Sequence, residues 1–173
     1  MAELPAQEIQ LVNLRKQLER QHTEHLLWLL NGLRDRLGEQ VADAVNAIVA
    51  HDVTEDWKAT AEREGSNTIE DLIRLLWEPL VEKGFEYTYE KTDKGYQMCV
   101  THCPIAELAK ELDAKDWLYA LHCATDPFST VGFNPKVEFR RTKTLMEGDD
   151  YCDHFYAFPK ARRHSANCGV STG

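Results

Sequence analysis

Cysteine, histidine, aspartate and arginine side chains gather in the second half of this chain, at spacings that could support chemistry. The segment "YQMCVTHCPIAEL" places Cys99, His102 and Cys103 within five positions, with Pro104 directly after them. Further on, Cys123 stands three residues before Asp126, and Cys152 lies beside Asp149, Asp150, Asp153 and His154. Thiols and imidazoles serve as nucleophiles or as soft metal ligands, and carboxylates act as general bases. Cys103 ends a strand where Pro104 opens a helix. The helix dipole and free N–H groups would favour a thiolate there. On a regular strand Cys99 and Cys103 share one face, with Val100 and His102 on the other.

Each residue also has a plainer reading. A lone buried cysteine usually packs as a small hydrophobe, and Cys-x3-Cys is not the tight zinc-knuckle spacing. The case for a site rests on repetition, since Cys103, Cys123 and Cys152 each fall at the edge of an element near an acid or imidazole. Three thiols with Asp126 or His154 would suit zinc or an iron–sulfur centre. The same set could instead hold one activated thiol. Of Arg140 and Arg141, adjacent in a strand, one should face inward and need a carboxylate or an anionic ligand. A salt bridge to the Glu147–Asp150 cluster would serve as well. In the first helix Glu19, His22 and His25 recur at three-residue steps, like half of a di-iron site. Only His51 and Glu55 could complete it, so a solvated helix face is the better reading.

The elements that must position these groups follow from periodicity. Between Glu8 and Leu37, the residues Leu11, Leu14, Leu18, Leu26, Leu29, Leu30, Leu33 and Leu37 mark an amphipathic helix with a weak point at Gly32. A second helix carries Val41, Val45, Ile48 and Val49 and runs to about Glu64. Thr68 can cap a third, with Asp71 at the capping-box position and Pro79 kinking its end. "FEYTYEK", the turn "TDKG" and "YQMCVTHC" read as a hairpin. A helix runs from Pro104 to about Leu112, and "KDWLYALHCATD" forms another. "KVEFRRTKTL", the turn "MEGDD" and "YCDHFYAF" read as a second hairpin. The expected fold class is α+β, with N-terminal helices packed on a mostly antiparallel sheet of about four strands. We expect one domain over 1–158, helical over 7–82 and sheet-containing over 84–158, followed by a disordered tail over 159–173.

Bulk properties narrow the function. The 173 residues suffice to bury about two-thirds of the unfolded surface. A net charge of −9 leaves little to neutralise phosphates, which argues against nucleic acid as a partner. No run of about 18 apolar residues is present, so no membrane partner is expected. The polar start "MAELPAQEIQ" is unlike a secretory signal, and cytoplasmic localisation is expected. Five cysteines in a reducing compartment read as core residues, ligands or reactive thiols. The Leu-rich first helix suits a homodimer contact or an intramolecular core equally.

Three segments, "VTHCP", "LHCATDPFSTVGFNP" and "FRRTKTLMEGDDYCDHFY", carry a Cys-Pro, a Cys with a nearby Asp, and an Arg-Thr…Leu…Gly-Asp…Cys ending. Over Thr68 to Phe158 the chain resembles the L-2-amino-thiazoline-4-carboxylic acid hydrolase-like family. The matching positions are Cys103-Pro104, Cys123 with Asp126, Arg141-Thr142, Leu145, Gly148-Asp149 and Cys152. The resemblance implies hydrolytic opening of a small cyclic amidine to N-carbamoyl-L-cysteine. Asp126 or Asp149 would be the general base, and Arg141, beside Arg140, would bind a carboxylate-bearing small-molecule ligand. Cys103 would be a nucleophile or, with Cys123 and Cys152, a ligand of a water-activating metal. The opposing reading is a non-catalytic small-ligand or metal-binding module on the same scaffold.

Overall fold

In the computed structural model, which describes residues 6–159, the chain divides into two compact units at Ala44/Val45. The sequence also carries a basic cluster, Lys160-Ala-Arg162-Arg163-His164, expected to be a solvated end; it, Cys168 and all but the first residue of the expected tail lie outside the described residues. The first unit carries helix α1, Ala6–Leu37, which runs unbroken through Gly32. Most of its apolar stripe is exposed. Leu27 and Leu30 are buried, whereas Leu11, Leu14, Leu18, Leu29, Leu33 and Leu37 are exposed. Glu19, His22 and His25 are exposed as well, as a solvated face requires. Helix α2 spans Gln40–Glu64 and crosses the division.

The second unit is built on a four-stranded antiparallel sheet with strand order β1-β2-β4-β3. Strands β1 (Glu86–Thr92) and β2 (Gly95–His102) form the expected hairpin. Strands β3 (Glu138–Arg140) and β4 (Cys152–Ala157) pair as expected, but an eleven-residue connection replaces the tight turn. On one sheet face lie Tyr96, Met98, Val100, Cys152 and Tyr156, which form the core with Ile69, Leu72, Ile73, Trp77, Phe133 and Val137. The α+β class holds, with most of the helix N-terminal to the sheet.

The helix over this core begins as its sequence requires. The Thr68 hydroxyl accepts from the Asp71 N–H, and the Asp71 carboxylate reaches back to the Thr68 N–H. Helix α3 (Ile69–Leu72) then widens into a π-helical turn, Ile73–Trp77, before α4 (Glu78–Glu82). Pro79 has no N–H to give the preceding turn, and its ring crowds the carbonyl four residues back. The wide turn ahead of Pro79 is where the chain absorbs this, and it delivers Trp77 to the sheet. Helices α5 (Pro104–Glu111), α6 (Lys115–Leu121) and α7 (Asp126–Phe133) follow β2. The sequence reading contained no α7. Residues Asp126–Phe133 carry Pro, Ser, Thr and Gly, and packing against α2 overrides their weak helix propensity. Gly132 is the closest point, where an added Cβ would lie 2.4 Å from the Thr54 carbonyl oxygen.

Candidate active site

Strand alternation determines what reaches the space under the sheet. Along β4 the side chains of Cys152, His154 and Tyr156 are buried, between the less buried Asp153 and Phe155. Cys152 and His154 line a cavity of about 230 Å³ together with Cys103, Cys123, Asp126 and Arg141. Much of the remaining wall is apolar, from Trp77, Leu80, Phe85, Val100 and Ile105. That is below the roughly 300–1,000 Å³ of drug-sized ligand sites, so the cavity has room only for a smaller molecule.

Asp126 is the hub. It is the first residue of α7, and its Oδ2 accepts from Arg141 Nη1 and, at 3.2 Å, from His154 Nε2. Among the described residues no hydrogen bond reaches its Oδ1. Arg141 is committed elsewhere too. Its Nη1 also donates to the Cys123 carbonyl at 3.0 Å, its Nη2 donates to the Tyr119 hydroxyl at 3.1 Å, and its guanidinium stacks on the Tyr119 ring. Only 9% of its side chain is exposed. The expected partner cluster Glu147–Asp150 does not pair with Arg141. Asp126, fifteen residues earlier, takes that place.

His154 is 6% exposed and packs against two aromatic rings. Trp77 meets it edge-on with ring centroids 4.9 Å apart, and Phe139 lies at 5.8 Å. Beneath it Trp77 Nε1 donates to the buried Tyr156 hydroxyl at 3.2 Å. A carboxylate oxygen accepts, so the Nε2 facing Asp126 is the donor of that pair, and in the neutral tautomer carrying that proton Nδ1 is an acceptor. Among the described residues, Nδ1 is the buried side-chain nitrogen or oxygen without a hydrogen-bond partner. Such an orphan costs about 1–3 kcal/mol.

The thiols behave differently from the expectation at Cys103. Cys103 does cap α5, and the Ile105 and Ala106 amides favour its thiolate, but burial outweighs them and pushes the thiol up. Burial does the same at Cys152, and it drives Cys123 up to about 12, with the Asp126 carboxylate adding to the effect. Cys152 Sγ also accepts from the Leu145 N–H at 3.2 Å. Cys103 joins Val100, not Cys99, at the cavity, because β2 ends at His102 before the alternation reaches it. Cys99 pairs with Asp153 across the sheet and is buried away from the cavity; His102 lies near Glu107, at 3.5 Å. Among the described residues, no three His, Cys, Asp or Glu side chains are arranged to hold a metal ion. The ligand set Cys103, Cys123 and Cys152 for zinc or an iron–sulfur centre is therefore not supported. Lining one cavity does not bring the three thiols to a common point.

Two further expected site residues sit outside the cavity. Arg140 is exposed and pairs with Glu138 at 2.9 Å. Asp149 is exposed, and its carboxylate accepts from the Thr144 N–H at 2.8 Å. It is part of a brace that holds the β3–β4 connection. Asp153 accepts from the Thr142 and Lys143 amides at 2.7 and 2.6 Å, and Gly148 at φ 100° closes a 3₁₀ turn over Leu145–Glu147. Most of the Arg-Thr…Gly-Asp…Cys pattern is thus loop architecture, and its product is the placement of Arg141. Sequence reasoning gave too little weight to His154, Tyr119 and Trp77. The two-residue step from Cys152 to His154 was the available signal for the first.

In this α+β fold an acid–imidazole–guanidinium cluster lines a small cavity. The sequence model for L-2-amino-thiazoline-4-carboxylic acid hydrolase matches residues 18–156, and the chain belongs to that family. No curated protein sequence is a significant match. Among the described residues, no helix is long and apolar enough to cross a membrane.

Proposed function

We propose that this chain hydrolyses a small, carboxylate-bearing cyclic amidine, opening L-2-amino-thiazoline-4-carboxylate to N-carbamoyl-L-cysteine. The observation that carries the reading is the Asp126 carboxylate in the cavity wall, held through Oδ2 by Arg141 and by His154 Nε2, with no hydrogen bond on Oδ1 among the described residues. Arg141 and His154 hold Asp126 Oδ2, which leaves Oδ1 to orient a water and take its proton. The water oxygen bonds to the ring carbon between nitrogen and sulfur, and the second proton of that water passes from the new hydroxyl to the ring nitrogen as the carbonyl forms. The carbon–sulfur bond then breaks, and the departing sulfur receives the proton from Asp126. Cys103, with its thiol held protonated by burial, serves as cavity wall in this scheme and not as nucleophile.

Incubation of the full chain with the thiazoline in ¹⁸O-water tests the reading. The expected product is N-carbamoyl-L-cysteine with one ¹⁸O in the carbamoyl group. An unchanged ring, at enzyme concentrations where the protein is folded, overturns it.

A further inference from the structure

Lys83 also lines the cavity, and among the described residues no acid is paired with it. It caps the C-terminus of α4, with its N–H bonded to the Leu80 and Val81 carbonyls, and its side chain has no hydrogen bond or salt bridge among the described residues. The residue is exposed, so it stands at the mouth and not in the depths. Gly84 follows at φ 90°, and an added Cβ there would lie 3.5 Å from the Pro104 ring, which fixes this turn beside the start of α5. Lys83 is near enough to His122, another lining residue, to act on it. Partial burial first, and the Lys83 charge second, hold the His122 ring below its ordinary value.

The charges of the cavity do not balance. Arg141 is matched by Asp126 and is largely shut from solvent, so it is poorly placed to clamp a second carboxylate. Lys83 is the cation left over, on a chain of net charge −9. A flexible ammonium at the rim of an apolar cavity suits a monoanion whose charged end stays near water while its body is buried.

We infer that Lys83 is the residue that selects anionic ligands at this cavity, by pairing with the ligand carboxylate while the ring enters towards Asp126 and His154. This rests on the proposed small-molecule site, and it moves the carboxylate contact from Arg141 to Lys83.

The test measures binding of two pairs of probes to the full chain: L-2-amino-thiazoline-4-carboxylate and its carboxamide, and thiazolidine-4-carboxylate and its carboxamide. Wild type is compared with Lys83→Met and Lys83→Arg. Substitution of an exposed side chain leaves folding intact. Wild type should prefer each acid over its amide by about three- to tenfold, as a partly solvated ion pair allows. Lys83→Met should bind acid and amide alike, Lys83→Arg should restore most of the preference, and amide binding should not change. In the ligand-free protein, Lys83→Met should also raise the His122 titration seen by NMR. A preference that survives Lys83→Met, or no preference in wild type, overturns the inference. A preference that depends on Lys83, in a protein that opens no ring, leaves the inference standing and removes the hydrolytic reading.

Discussion

Replacing Asp126 by asparagine keeps the shape of the side chain and removes its charge. Arg141 has 9% of its side chain exposed and Asp126 17%, so the guanidinium would be left buried without its counter-charge. Breaking such a pair from one side costs about 3–5 kcal/mol. Arg141 keeps the Cys123 carbonyl and the Tyr119 hydroxyl, and the asparagine oxygen can still accept one hydrogen bond. The lower end, about 3 kcal/mol, is therefore expected. The comparison is Glu138→Gln, which breaks the Arg140 pair where the side chains are 51% and 44% exposed. There the loss should stay below about 1 kcal/mol, because solvent already screens the pair. Urea unfolding followed by tryptophan fluorescence reads the difference. Trp57, Trp77 and Trp117 lie in the second unit, and Trp28 is 76% exposed and changes little on unfolding. With an m-value near 2 kcal/mol/M, Asp126→Asn should lower the midpoint by about 1.5 M and Glu138→Gln by less than about 0.5 M. Equal midpoints for the two variants would refute the claim that Asp126 neutralises a buried arginine.

Other outcomes follow from the same geometry. Iodoacetamide labelling at pH 8, read peptide by peptide, should find Cys123 slower in the folded chain than in urea by a factor on the order of 10³, since its thiol is pushed up to about 12. Labelling of Cys103 at the unfolded rate would show that burial does not govern that thiol. Because folding raises these thiol values, the unfolded chain releases its protons first. Their contribution is whole below about pH 8.5 and should be lost as the pH climbs towards 12, as a pH series of urea midpoints would report. Gly132→Ala should cost about 2 kcal/mol or more, because its Cβ meets the Thr54 backbone and not a yielding side chain. Gly148→Ala, where the surroundings are open, should cost about 1 kcal/mol from the left-handed backbone alone. Thermal melts of the two variants in the opposite order would contradict the packing of α7 on α2.

Local signals carried much of the fold. The Thr68 and Asp71 cap, the two-residue turn between β1 and β2, and Pro104 at the start of α5 depend on neighbours a few positions apart, and each is where the sequence places it. What was not legible depends on distant parts of the chain. The helix α7 looks like a loop until α2 packs against Gly132. The partner of Arg141 is set by which carboxylate the sheet brings under it, so the nearby Glu147–Asp150 acids were the natural but wrong choice. Cys103 stands at a helix start, as expected, but the value of its thiol is decided by the apolar side chains around it. Leucine periodicity in α1 reports an apolar face and carries no information on what covers it. The pattern Arg-Thr…Gly-Asp…Cys pointed to the right region. Within it, Asp149 and Asp153 brace the connection while Arg141 and His154 enter the cavity.

The most direct test of the catalytic reading is the rate of ring opening by wild type, Asp126→Asn and Cys103→Ala, each measured at a temperature where circular dichroism shows it folded. Asp126→Asn should lose about 10²–10⁴ in kcat, as expected for removal of a general base. Cys103→Ala should stay within about tenfold of wild type, because its protonated thiol forms no bond to the substrate in this account. An active Asp126→Asn beside an inactive Cys103→Ala would contradict the account and make the thiol the nucleophile.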